Sequence, residues 1–123
     1  MKPSRVSRVH ELPFPPSINH YYRNVVVNRR PQTLISAEGR SYHYAVQAAI
    51  GRASPMVDHL AVTIWVWMPD ARTRDIDNLL KPLLDACTRA GLWRDDSQVK
   101  SLAISDRGIA RPSGRVVLRV KPR

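Results

Sequence analysis

The elements readable along the chain are those of an α+β domain, a small mixed sheet packed against two helices, with residues 1–123 as a single domain. Three observations carry this. Leu60 to Met68 (LAVTIWVWM) is a β-branched and aromatic run, nearly all apolar, as expected of a central strand. Ile76, Leu79, Leu80, Leu83, Leu84 and Cys87 recur at helical spacing and mark a buried stripe. The remaining strand-forming segments are short and outnumber the helices. At 123 residues the chain can bury a real but modest core.

In chain order, Arg5 to Leu12 is compatible with a short strand, and Pro13-Phe14-Pro15-Pro16 then enforces an extended turn. Val25 to Val27 and Leu34-Ile35 read as two strands around a turn at Asn28-Arg29-Arg30-Pro31. Ser36 is the expected N-cap of a helix from Ala37 to about Arg52. Its Tyr42, Ala45, Ala48 and Ala49 suggest close packing on a sheet. Ala53-Ser54-Pro55 ends it, and the central strand follows, with Trp65 and Trp67 on one face beneath a helix. The second helix starts near Asn78, since Pro82 is tolerated only near a helix start, and stops at Gly91. Gln98 to Ile104 and Arg115 to Lys121 read as a final hairpin, whose connection carries Arg107 and Arg111.

Charge narrows the function. Twenty Lys and Arg against ten acids give a net charge of +10 and a pI near 10.8. Such an excess attracts polyanions, nucleic acid above all. Asn19, Tyr22 and Arg23 sit in a stretch suited to holding phosphate or stacking on bases, and Arg29 and Arg30 in a turn suited to touching DNA. No apolar run approaches the roughly 20 residues that span a bilayer, so no membrane is expected. The N-terminus lacks an apolar signal core, which argues against secretion. Cys87, the single cysteine, lies on the helical stripe and reads as a buried thiol. No His has metal-ligand spacing to another His or Cys, so zinc is not expected.

The acids are gathered. Asp70, Asp75, Asp77, Asp85, Asp95 and Asp96 are six of the ten, in 27 residues where even scattering would put about two. Side chains two apart diverge on a helix and share a face on an extended segment. Cooperation between Asp75 and Asp77 therefore predicts extended backbone at 75–77, with Lys81 about one turn beyond. The plainer reading is that these aspartates cap the helix or favour its dipole, roughly 0.3–1 kcal/mol each, and that Lys81 pairs with Asp85 on the surface. If the acids do act together, hard oxygen ligands without His or Cys suit Mg²⁺ or Mn²⁺. On a basic protein the matching substrate is a phosphodiester, with Lys81 neutralising charge and Arg72, Arg74, Arg89 and Arg94 drawing in the backbone. The residues alone leave three functions open: a metal-dependent nuclease, a basic DNA-binding protein that does not cleave, and a structural or interaction protein.

RDIDNLLKPLLDA followed by AGLWRDDSQV resembles the signature of the RusA family of Holliday-junction resolvases, and PFPPSINHYYR and ISAEGRSYH resemble it at similar distances. The resemblance covers roughly residues 11 to 105. It implies an α+β fold, a homodimer and Mg²⁺-dependent symmetric nicking of four-way DNA junctions in a bacterial host cytoplasm, in association with the nucleoid. It also implies metal-binding aspartates at Asp75, Asp77 and Asp96, a supporting acid at Asp95, an essential lysine at Lys81 and a phosphate contact at Arg74.

Overall fold

The structure is a computed structural model, and it describes residues 7–123. Six strands and three helices run in the order β1 (Arg8–Leu12), α1 (Ile18–Tyr21), β2 (Tyr22–Val27), β3 (Arg30–Ile35), α2 (Ala37–Ile50), β4 (Leu60–Met68), α3 (Asp77–Arg89), β5 (Val99–Ile109) and β6 (Arg115–Pro122). A single 3₁₀ turn, Asp96–Gln98, precedes β5. The main sheet has the order β1-β6-β4-β5, and β2 and β3 form a separate two-stranded sheet. The fold is the expected α+β one, with a mixed sheet. The start of the first predicted strand, at Arg5 and Val6, lies outside the described residues.

β4 is central, as its composition predicted, but it is covered on one face only. Leu60, Val62, Ile64, Val66 and Met68 are buried, while the residues between them are half-exposed. They join Val116, Leu118 and Val120 of β6 with Tyr42 and Val46 of α2 and Leu79, Leu83, Ala86 and Cys87 of α3 in one core. Trp65 and Trp67 therefore point to the opposite face and not under a helix. There the Arg115 guanidinium lies 4.2 Å from the centre of the Trp67 ring.

The last two strands are not a hairpin. β5 pairs parallel with β4, β6 pairs antiparallel with β4 on its other edge, and β4 lies between them. The reason is α3, which forms the crossover that parallel neighbours require. β5 also runs to Ile109, five residues beyond its expected end.

Two local devices fix the region that matters below. The Ser36 side chain accepts the Gly39 N–H at 2.9 Å, as expected of an N-cap. Gly39 is buried, and a Cβ there would stand 2.3 Å from the Tyr21 carbonyl oxygen. Only glycine lets α2 begin this close to the end of α1. The buried side of α2 is thus Gly39, Tyr42 and Val46, while Ala45, Ala48 and Ala49 face solvent. The expectation that these alanines pack on the sheet fails because the stripe through Tyr42 continues four residues on to Val46 instead. The turn between β2 and β3 is two residues, Asn28 and Arg29, both at positive φ (52° and 64°). Arg30 and Pro31 belong to β3. Among the described residues, no helix is long and apolar enough to cross a membrane.

Candidate nuclease site

The loop leaving β4 is closed by Asp70. Arg74 donates to both its carboxylate oxygens, at 2.6 and 3.1 Å, and the Arg72 N–H donates at 2.9 Å. These bonds, the Arg74 guanidinium first, hold the Asp70 carboxyl well below the usual carboxylate range. Arg74 also lies over the Phe14 ring, 5.7 Å from its centre. Its guanidinium is thus committed to the loop, and any phosphate must share it with Asp70. The Arg72 side chain, at 79% exposure, remains open to solvent.

Past this clamp the chain is helical sooner than expected. Ile76 already has φ −59° and ψ −40°, and Asp77 is the first residue of α3. The extended segment predicted at 75–77 is absent. The Asn78 and Leu79 N–H groups bond back to the Asp75 and Ile76 carbonyls, at 3.2 and 3.1 Å, so the helix opens as a tight turn. Pro82 lies in the second turn, buried in the core, and leaves the Asn78 carbonyl without an i+4 donor. Asp75 and Asp77 are both exposed. Among the described residues their carboxylates accept no hydrogen bond and form no ion pair.

Lys81 is exposed one turn further along α3, its ammonium 5.9 Å from the centre of the Tyr22 ring. The surface pair with Asp85 is not formed. Asp85 Oδ2 instead receives the Tyr21 hydroxyl at 2.6 Å and the Arg89 Nε–H at 2.8 Å. Burial, then that bond to Asp85, push the Tyr21 hydroxyl far above the usual range, so it stays a donor.

The downstream acids are held by their own surroundings. Asp95 caps the 3₁₀ turn, accepting the Ser97 N–H at 2.8 Å, while the Gln98 side chain accepts the Asp95 N–H at 2.9 Å. Backbone donation from Ser97 lowers the Asp95 carboxyl. Asp96 is half-buried and receives the Thr88 hydroxyl, with the Trp93 indole N–H at 3.4 Å. Trp93 is fully buried and donates to Thr88 at 2.6 Å. Asp96 is therefore fastened near the far end of α3. Eleven positions separate Thr88 from Asp77, roughly 16 Å along the helix axis.

The donors are right in kind for a hard divalent cation, being carboxylates alone. They are not gathered as a closed set: among the described residues, no three His, Cys, Asp or Glu side chains group closely enough to hold a metal ion. Asp75 lies beside Asp77 in the chain, and Asp96 is not beside the pair.

Three hollows here are joined through shared lining residues. Asn19, Arg72, Arg74 and Asp75 line a cleft of about 790 Å³. Asn19 also lines a second hollow, of about 370 Å³, with Tyr22 and Lys81. Tyr22 and Thr33 also line a third, of about 540 Å³, with Arg23, Arg40 and Arg89. Asn19, Tyr22, Arg23, Arg72 and Arg74 thus line one track, whereas Arg29 and Arg30 line none of these hollows. Sequence reasoning passed over Arg40, Asn24 and Thr33, and only strand register and the approach of α2 reveal them.

The family model described as endodeoxyribonuclease RusA matches residues 13–121. A crossover junction endodeoxyribonuclease RusA from Shigella sonnei is 46% identical over 93 residues, 72% of each chain. Its namesake from Enterobacteria phage 82 is 47% identical over 92 residues, again 72% of each. That of Enterobacteria phage HK97 is 36% identical over 112 residues, 89% of each. The chain belongs to the RusA family of endodeoxyribonucleases.

Proposed function

We propose that this protein resolves four-way DNA junctions by paired symmetric nicks, acting as a homodimer that requires Mg²⁺, with Mn²⁺ as a substitute. The observation that carries the reading is the match across residues 13–121 to a nuclease family whose similar members are named crossover junction endodeoxyribonucleases. Asp75 and Asp77 would hold the cation from the open end of α3; Asp96, fastened to Thr88, and Asp95, which caps the 3₁₀ turn, lie apart from that pair within this chain. When bound, the ion supplies a water of lowered pKa and neutralises charge on the phosphoryl oxygens.

The chain's own residues do the rest. Lys81, which has no ion pair among the described residues, stabilises negative charge as it builds in the transition state. Arg23 and Arg72, with Asn19 between them along the track, hold the DNA backbone on either side. The dimer is argued from symmetry: one site makes one nick, and two chains about a two-fold axis match a junction's two strands of like polarity. The exposed Val26 and Val27 of the hairpin, at 73% and 41% exposure, offer apolar surface for such a contact.

A second reading, binding without cleavage, is favoured by the distance of Asp96 from the Asp75–Asp77 pair. Titrating Mg²⁺ into reactions on a synthetic four-way junction and on linear duplex separates the two. Paired, metal-dependent nicks confined to the junction are expected. Tight junction binding with no nicks at any Mg²⁺ concentration would leave the second reading standing.

A further inference from the structure

The hollow beside Lys81 has chemistry that phosphate does not need. Its polar lining comes from four separate elements: Asn19 of α1, Asn24 of β2, Thr33 of β3 and Lys81 of α3, with Tyr22 as the aromatic wall. Asn24 and Thr33 are cross-strand partners, and the Thr33 hydroxyl donates to Asn24 Oδ1 at 3.0 Å. That bond orients the amide and leaves the Asn24 Nδ2 hydrogens without a partner among the described residues. The Asn19 side chain likewise has none. At about 370 Å³ the hollow falls within the usual range of small-ligand sites, roughly 300–1,000 Å³.

An aromatic wall with two amides and a hydroxyl is the equipment that reads an unstacked base. The adjoining hollow, which shares Tyr22 and Thr33 with this one, is lined by Arg23, Arg40 and Arg89, whose guanidinium groups suit phosphates. We infer that the hollow takes a single nucleobase released from the stack at the junction crossover, and that Asn24, oriented by Thr33, selects which base is accepted. The unpartnered amide hydrogens favour a base edge that presents acceptors. This assignment rests on the junction-nicking function proposed above and adds to it a determinant of where the nick falls.

The test maps nick positions on four-way junctions with a mobile core, where branch migration offers many base steps to one enzyme. The ratio of favoured to disfavoured sites is read within one reaction, so loss of total activity does not affect it. The wild type is expected to concentrate its nicks at few steps. Asn24→Ala and Thr33→Val are expected to flatten the ratio by at least about fivefold, and Thr33→Ser, which keeps the hydroxyl, to preserve it. Both residues are exposed, so the fold should tolerate the changes. An unaltered ratio in Asn24→Ala and Thr33→Val would overturn the assignment, as would a uniform loss of nicking at every step, the mark of a backbone contact. Affinities for fixed junctions differing only in their crossover base pairs, measured in EDTA, give a second readout that needs no catalysis. If the wild type binds junctions but nicks none, the nuclease reading fails alone. A spread of those affinities that narrows in Asn24→Ala would then still support the base pocket, and one that does not change would overturn it.

Discussion

The two ends of α3 carry the same residue type in opposite conditions. At the N-terminal end, Asp75 and Asp77 are exposed and without hydrogen bonds or ion pairs among the described residues. Toward the C-terminal end, Asp85 holds Tyr21 and Arg89, and Asp96 holds Thr88 with Trp93. A carboxylate already engaged by protein donors stabilises the fold. One left open on a protein of charge +10 is surrounded by a field that would readily neutralise it, and yet among the described residues no Lys or Arg closes on Asp75 or Asp77. The difference teaches that clustering in sequence is a poor guide to role, and that the partner of each acid decides it.

Lys81 belongs with the open end. Lys81→Ala should lower junction nicking about 100-fold while leaving the thermal midpoint within a degree or two, and Lys81→Arg should rescue poorly because a planar fork does not replace a point charge. Nicking assays beside a melting curve check both. Full activity in the alanine variant would make Lys81 an ordinary surface residue.

The closed end should fail differently. Asp85→Ala strands the hydroxyl of Tyr21, a fully buried residue, and frees Arg89, costing about 2–3 kcal/mol, read as a drop in denaturation midpoint. An unchanged midpoint would contradict the division between the two ends. Trp93→Phe keeps an aromatic ring at the buried site but removes the fused pyrrole ring with the N–H that Thr88 and Asp96 share. The lost hydrogen bond and the cavity together should cost about 2–3 kcal/mol, and a larger fall in nicking than in stability would show that the placement of Asp96 matters to activity.

The smallest effect concerns Asp70. Its carboxyl is held low by Arg74 and the Arg72 N–H, so the clamp contributes above the ordinary carboxylate range, near pH 4, and is lost as pH falls through the lower folded value. Asp70→Asn should therefore destabilise more at pH 7 than at pH 2, where part of the clamp's contribution is already lost. Equal destabilisation at both would show that the pair is not what the pH change breaks.

Much of this was legible in the chain and some was not, for definite reasons. Strand β4, the α3 stripe and the Ser36 cap are local signals, and each was found where periodicity or capping chemistry put it. Pairing partners are not local. Nothing in Val99 to Ile109 distinguishes a strand that lies parallel to β4 from one that folds back on β6, so the expected hairpin was wrong. The near-continuous apolarity of LAVTIWVWM suggested burial on both faces, whereas Trp65 and Trp67 stay half-exposed, Trp67 with the Arg115 guanidinium over its ring. At the candidate site the acids, Lys81 and the flanking arginines were legible as residue types. The spacing of Asp75 and Asp77 misled about backbone, because carboxylates that do not bond to one another need no shared extended face. The fastening of Asp96 to Thr88 and Trp93 depends on the turn after Gly91, which brings Trp93 back against α3.

The central claim is that the open end of α3 does chemistry and contributes little to the fold. Asp77→Asn tests it most directly, since it removes one charge at an exposed position with almost no change in volume. Nicking of a four-way junction under saturating Mg²⁺ and the thermal midpoint should be measured on the same preparation. Loss of at least about 100-fold in nicking with an unchanged midpoint and retained junction binding is the predicted result. Near wild-type nicking, or a midpoint that falls in step with activity, would contradict it.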